Sequence, residues 1–373
     1  MVYIVSGQAL PIFHTDTQCK QRKGRTLMIN LEKEIREQPA VLARVKDTNM
    51  DTIRAIVADI KAGNITNVLF AARGTSDHAC IYAQYLMHRF IGIPCALATP
   101  STITAYQAEM KLEHTLVIGV SQSGKAADVL AVLENGKKCG TITVAVTNDV
   151  SSPMAQSAKY HLYCNAGEEK SIAATKTFTA QMMLLALLCA EWSGNDKLFA
   201  QLDQVSAGAS EVLDTVPAQV ERIISRYRYM EDAFVLGRGM AYPIALEGAL
   251  KILETNKIRV RGYASSDFQH GPLAQVSEKT LVFVIAPQGP CMKDAEEMIQ
   301  KIESIGAELI VVTDDAALAQ KQKFAIQVPN HGCDCVAPYF MAMVMQLFAL
   351  KLTEVKGIDP DQSNVLKKIT ITK

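Results

Sequence analysis

In the stretch ALEGALKILET, Glu247, Lys251 and Glu254 are spaced i, i+4 and i+7, so on a helix the three charges share one face. On an exposed helix such a row is an ordinary set of solvated ion pairs. The Ala and Leu residues around it instead suggest a largely buried helix, where charge requires a purpose. Moving a proton at carbon is one such purpose: a positioned carboxylate can carry the proton while a lysine orients it. His270, in SDFQHGPLA, lies between a strand and a Gly-Pro turn, where an imidazole can titrate near neutral pH, although a loop histidine standing alone is more often plain surface.

Anion binding has its own candidates. In VIGVSQSGKAADVL, counting from Gly119 gives Gly, four residues, Gly124 and Lys125, a nucleotide P-loop until Ala126 stands where a Mg²⁺-ligating hydroxyl is required. A nucleophile elbow with Ser121 at its apex fails at Ser123, where its second Gly belongs. What the stretch does offer is a strand running into Ser121, Gln122, Ser123 and Gly124 immediately before a helix. Hydroxyls, an amide and backbone N–H groups there suit a phosphate monoester without metal; the plain alternative is helix capping.

RGTSDHA repeats the arrangement, with Gly74, Thr75 and Ser76 ahead of a helix, and two such starts in one domain can meet over one anion. NAGEEKSIAATKTFTAQ gathers Glu169, Lys170, Ser171, Thr175 and Lys176 before a long apolar helix, and on spacing alone can be just a capped, solvated helix start. HGCDC brings His331, Cys333 and Cys335 close together. Its alternate spacing reaches too short for most closed zinc sites and no second ligand pair is evident, so no metal is expected.

These residues need a frame. A chain of 373 residues, 49% of them hydrophobic, suits two cores rather than one. Short β-branched runs alternate with helical stretches, the pattern of α/β parallel sheets built from βαβ units. Strands are predicted at 68–73, 94–99, 115–121, 141–147 and 160–165, and again at 233–239, 258–264, 280–286, 309–314 and 324–329. Four of the five pairs recur at a separation of about 165 residues, which reads as an internal duplication of a doubly wound five-stranded domain. The expected division is 28–210, opening on a helix from Met28, and 211–356 with an entry helix, joined through the polar helical stretch around Pro217 and followed by a tail at 357–373. Residues 1–27 lack periodicity and are expected to be a disordered leader or a product of start-site choice. Ligands in such folds bind beyond the carboxyl ends of the strands.

Lys plus Arg and Asp plus Glu stand at 38 each, so no net field draws nucleic acid or an anionic membrane, and no basic helix-turn-helix segment is visible. The nine cysteines are scattered, mostly within apolar segments, and nothing at the start reads as a signal peptide, which favours reduced thiols in a cytoplasmic enzyme. TAQMMLLALLCAEW is interrupted by Gln181 and Glu191 and is shorter than the roughly 20 residues of a membrane span.

Six motifs, GTS at 74, SQSG at 121, AATKTFT at 173, YPIALEGALKILE at 242, HGPLA at 270 and the tail DPDQSNVLKK, occur together in this order. From about residue 40 onward the chain resembles the sugar isomerase (SIS) domain family, in particular the isomerase half of the glucosamine-6-phosphate synthases and the single-function glucosamine-6-phosphate deaminases. The resemblance implies two tandem flavodoxin-like SIS domains in a homodimer, no cofactor, and a sugar phosphate held by the first domain. It implies phosphate and sugar contacts from Thr75, Ser76, Ser121, Gln122, Ser123 and Ala173. It makes Glu254 the carboxylate that moves a proton between C1 and C2 of the opened sugar, with Lys251 positioning it and Glu247 structural. His270 would open the sugar ring in the neighbouring subunit's site, and Lys368, next to Lys367, would approach C2. The pattern departs from the family at Lys125-Ala126, where the synthases have Glu-Thr, and at Ser363 and Asn364, where Pro and Arg are usual.

The synthases add a glutamine-hydrolysing domain that this length does not accommodate. The expected reaction is therefore that of the isomerase half alone: an amino-sugar 6-phosphate, most simply glucosamine 6-phosphate, giving fructose 6-phosphate and ammonia. A deglycase acting on glycated amines, a plain aldose–ketose isomerase and a sugar-phosphate-binding regulator are the alternatives; retention of Glu254, His270 and Lys368 favours catalysis.

Overall fold

The computed structural model describes residues 29–362 together with Val365 and Lys368. The expected leader at 1–27 and the tail residues Ser363, Asn364 and Lys367 lie outside the described residues.

All ten predicted strands form, most of them a residue or more shorter than expected. β1 (Asn67–Ala71), β2 (Cys95–Leu97), β3 (Thr115–Ser121), β4 (Thr143–Thr147) and β5 (Tyr160–Tyr163) make one sheet in the order β2-β1-β3-β4-β5. β6 (Asp232–Gly237), β7 (Arg259–Ala264), β8 (Leu281–Ala286), β9 (Glu308–Thr313) and β10 (Ala325–Gln327) make a second in the order β7-β6-β8-β9-β10. Every pairing is parallel, with Phe70 opposite Ile118 in one sheet and Val235 opposite Phe283 in the other. The two orders are the same order, so the repeat seen in the sequence is a repeat of topology. Helices cover both faces of each sheet, which is why the central strands β3 and β8 are buried at every residue and read as unbroken apolar runs.

The long helices are α1 (Asn30–Ala62), α2 (Thr75–Phe90), α3 (Ala127–Lys138), α4 (Lys176–Ser193), α5 (Val205–Ile224), α6 (Tyr242–Asn256), α7 (Met292–Ile305) and α8 (Ala337–Lys356). α4 and α8 follow the fifth strand of each sheet and are apolar almost all round. Each is buried along nearly its whole length, α4 against α1 and α2, α8 against α5 and α6. The apolar run around Gln181 is thus a core helix, and among the described residues no helix is long and apolar enough to cross a membrane.

α1 continues through Pro39, which has no N–H to give Ile35. The Gln38 side chain supplies the missing donor, with Nε2 3.1 Å from the Ile35 carbonyl oxygen. α5, with Pro217 inside it, is the helical stretch expected to join the two halves, and it is continuous across 210. It packs on α1 and on α8, and one apolar core runs through both halves.

Candidate active site

β1 and β3 are neighbours whose following helices, α2 and α3, begin beside one another at the point where the strand order reverses, the usual crevice of a doubly wound sheet. α2 starts at Thr75, earlier than the sequence indicated, so Thr75 and Ser76 are first-turn residues with free backbone N–H groups rather than loop residues. Arg73 Nε lies 2.7 Å from Asp128 Oδ2, the buried acid of the first turn of α3, and ties the two helix starts together.

Between β3 and α3 the chain turns at Gly124. Ser121 Oγ accepts the Gly124 N–H at 3.2 Å, Ser123 Oγ accepts the Lys125 N–H at 3.3 Å, and the Gln122 carbonyl takes the Asn148 N–H at 3.0 Å. Gly124 has φ +62°, and a Cβ there would stand 2.2 Å from Ser152 Oγ. A loop this tight cannot carry a side chain at that position. Lys125, next in the chain, is half exposed, its Nζ 3.7 Å from Asp149 Oδ2.

The charged row predicted on one helix face is on α6. Glu247 and Lys251 are almost wholly buried, and Glu254 retains 20% exposure. Lys251 Nζ lies 2.7 Å from Glu254 Oε2, 3.3 Å from Glu247 Oε1 and 3.1 Å from Thr75 Oγ1. Burial works against the Lys251 charge, but the two carboxylates outweigh it and hold its pKa above the ordinary lysine value. Thr75 donates to Glu247 Oε1 at 3.1 Å, and His78 Nδ1 stands 2.8 Å from Glu247 Oε2. The row therefore reaches from the second domain into the first turn of α2, and Glu254 is its solvent-facing end.

Sequence reasoning missed His78. Its signal was available: once α2 starts at Thr75, His78 is i+3 and shares its face.

A second buried carboxylate organises the segment before α4. Glu169 Oε1 accepts the N–H groups of Thr175 and Thr177, and its Oε2 accepts the Thr177 hydroxyl at 2.9 Å and the Lys368 ammonium at 2.9 Å. Burial pushes the Glu169 pKa up, but Lys368 and these donors outweigh it and leave it below the ordinary carboxylate range. Glu34 of α1 accepts the N–H groups of Lys170 and Ser171 beside it. Lys368, the tail residue singled out in the sequence, is thereby docked on the first domain. Ala173 is packed in the core, so it can offer a ligand only backbone.

His270 lies apart from this cluster. It is exposed, ahead of Gly271 at φ +143°, and its ring makes no hydrogen bond or ion pair among the described residues. In HGCDC, His331 packs on Phe340, with ring centroids 5.1 Å apart; the clustered donor atoms there are those of Cys333, Asp334 and Cys335.

Comparison with known proteins agrees with this architecture. The SIS domain model matches residues 64–190 and 230–355. A glutamine–fructose-6-phosphate aminotransferase of Aquifex aeolicus is 32% identical over 343 residues, 91% of this chain and 57% of that protein. The Pseudomonas putida enzyme of the same name is 32% identical over 359 residues, 91% of this chain and 58% of that protein, so the chain spans less than two thirds of either relative. Among solved structures, the C-terminal domain of glucosamine-fructose-6-phosphate aminotransferase from Francisella tularensis superposes with TM-score 0.82 at 25% identity, covering 90% of this chain and 99% of that one. Glucosamine-6-phosphate deaminase from Thermotoga maritima shares the fold, with TM-score 0.75 at 21% identity over 92% of this chain and 100% of that one. With the duplicated topology and both matched segments in place, the chain belongs to the SIS domain family, two copies in tandem.

Proposed function

We propose that this protein is a phosphosugar isomerase working in the deaminating direction, converting an amino-sugar 6-phosphate, most simply glucosamine 6-phosphate, to fructose 6-phosphate and ammonia. The observation that carries the reading is the 3.1 Å hydrogen bond from Lys251 Nζ to Thr75 Oγ1, with Glu254 on the same ammonium. It joins the anion cradle of one domain to a carboxylate of the other in a single site, which is what a substrate with a phosphate at one end and a reacting C1–C2 bond at the other requires. The relatives at 32% identity, whose names specify fructose 6-phosphate, support the substrate class.

In this reading the phosphate sits on the first-turn N–H groups of α2 and α3 and on Ser76, Ser121, Gln122 and Ser123. The Thr75 hydroxyl is already committed to Glu247 and Lys251, so Thr75 contributes its N–H. Exposed His270 reaches the site of a second copy in a homodimer and opens the sugar ring. Glu254 takes the C2 proton of the open aldose and delivers it to C1, which turns the C2 amine into a ketose imine. Water adds to C2, ammonia leaves and the ketose remains. Lys368, held on the first domain by its pair with Glu169, attends the open chain in this reading.

The test is a panel of hexosamine and fructosamine 6-phosphates assayed for ammonia and ketose, run beside fructose 6-phosphate with glutamine or with ammonia. Ammonia and fructose 6-phosphate from glucosamine 6-phosphate are expected. Turnover confined to glycated amines, isomerisation without ammonia release, or synthesis only with glutamine would overturn the reading.

A further inference from the structure

The HGCDC segment is not used by the proposed chemistry, and its two cysteines are placed for a different one. The Val336 and Ala337 N–H groups both bond the Cys333 carbonyl, at 3.1 and 3.2 Å, so the chain closes a tight turn just before α8 begins at Ala337. The turn brings the i and i+2 side chains together: Cys335 N–H donates to Cys333 Sγ at 3.3 Å, and the two sulfurs lie within 4.8 Å. A turn holds i and i+2 Cα atoms within the roughly 4.4–6.8 Å that a disulfide spans.

The two thiols are not equivalent. Cys333 is partly exposed, and hydrogen bonds from the Cys335 thiol and then from the Cys335 N–H pull its pKa down to about 7. Cys335 is fully buried beside Cys333, its pKa pushed up, and Arg89 Nη1 lies 3.6 Å from its sulfur. The Asp334 carboxylate between them is held by Arg89 at 2.7 and 2.9 Å, and His331 packs on Phe340.

We infer that Cys333-Asp334-Cys335 is a thiol-oxidation site that closes into an intraturn disulfide on reaction with a small-molecule disulfide of the glutathione type. The Cys333 thiolate attacks one sulfur of the oxidant, forming a mixed disulfide and releasing one thiolate. Cys335 gives up its proton and attacks Cys333 Sγ, forming the Cys333–Cys335 bond and releasing the second thiol. Two protein thiols are oxidised and one disulfide is reduced to two thiols.

The site lies outside the proposed active site, so its test does not depend on turnover. The reduced full chain is incubated at pH 7.5 with oxidised glutathione, alkylated and mapped by mass spectrometry without reduction. The expected result is a peptide containing both cysteines that has lost two hydrogens and regains them with dithiothreitol. Before oxidation, Cys333 should be alkylated a few-fold faster than an ordinary exposed cysteine, its thiolate fraction outweighing its lower intrinsic nucleophilicity. Cys335→Ser should retain one glutathione on Cys333, and Cys333→Ser should form neither product. If the wild-type peptide remains fully alkylatable while exposed Cys139 is glutathionylated, the inference fails, and that result is independent of how either variant folds.

Discussion

His78 Nδ1 stands 2.8 Å from Glu247 Oε2, while Glu247 Oε1 takes the Thr75 hydroxyl at 3.1 Å, so one buried carboxylate of the second domain holds two residues in the first turn of α2. That turn is one arm of the proposed anion cradle. Its position is set from outside its own domain, through a contact between residues 169 positions apart in the chain. Neither SIS domain alone could supply the arrangement.

Removing the imidazole should therefore disturb the cradle. His78→Ala leaves a buried carboxylate oxygen short of a partner, a loss of about 1–3 kcal/mol. We expect a lower melting temperature and a kcat/KM reduced about tenfold, mostly through KM. His78→Gln, whose amide can reach Glu247 as a donor, should recover most of the KM. Equal KM values for wild type and His78→Ala would refute the positioning role.

Glu254→Gln keeps the size of the side chain and removes its capacity to carry a proton. A positioned general base contributes about 10²–10⁴ in rate, and kcat should fall by that much. Binding should persist, read as an unchanged upward melting shift with a hexose 6-phosphate. Activity within a few-fold of wild type would remove Glu254 from the chemistry.

Much of this frame was legible in the sequence, for a physical reason. Parallel strands covered on both faces are continuous apolar runs, so TLVIGVS and TLVFVIA announced β3 and β8, and the repeat of such runs announced the duplication. The i, i+4, i+7 spacing likewise announced a common face for Glu247, Lys251 and Glu254, and the burial of Glu247 and Lys251 on α6 shows that the row is not a plain solvated surface. What was not legible depended on contacts between distant elements. The first turn of α2 is held from α6, which no local pattern encodes, so the helix start was read late and His78 was passed over. The helical link around Pro217 was legible in the sequence, but not that it is held by packing on α1 and α8 at once.

Glu169 makes acid stability a test of tail docking. Its folded pKa lies below the unfolded carboxylate value of about 4.3, so its contribution is fully present above that pH and is lost as the pH falls through the folded pKa. Glu34 beside it has its pKa raised, chiefly by burial, and acts in the opposite sense. Glu169→Gln should lower stability near pH 7 by about 2 kcal/mol and flatten the fall in stability below pH 5, measured by denaturant melts across pH. Parallel pH profiles for wild type and variant would show that the Lys368 pair contributes nothing to folding.

Lys125 bears on affinity rather than rate. Its pairing with Asp149 is long, at 3.7 Å, and both side chains are partly exposed, so the pair itself contributes little, about 0–1 kcal/mol. A phosphate dianion in the adjoining cradle carries twice the charge of Asp149 and competes for the same ammonium. Lys125→Ala should then raise KM about three- to tenfold with kcat unchanged, and should weaken the salt dependence of KM, since one screened attraction is gone. Asp149→Asn should do the reverse and lower KM, because it frees Lys125 for the ligand. If Lys125→Ala leaves both KM and its salt dependence at wild-type values, the ammonium points away from the phosphate, and the cradle works through hydroxyls and helix N–H groups alone.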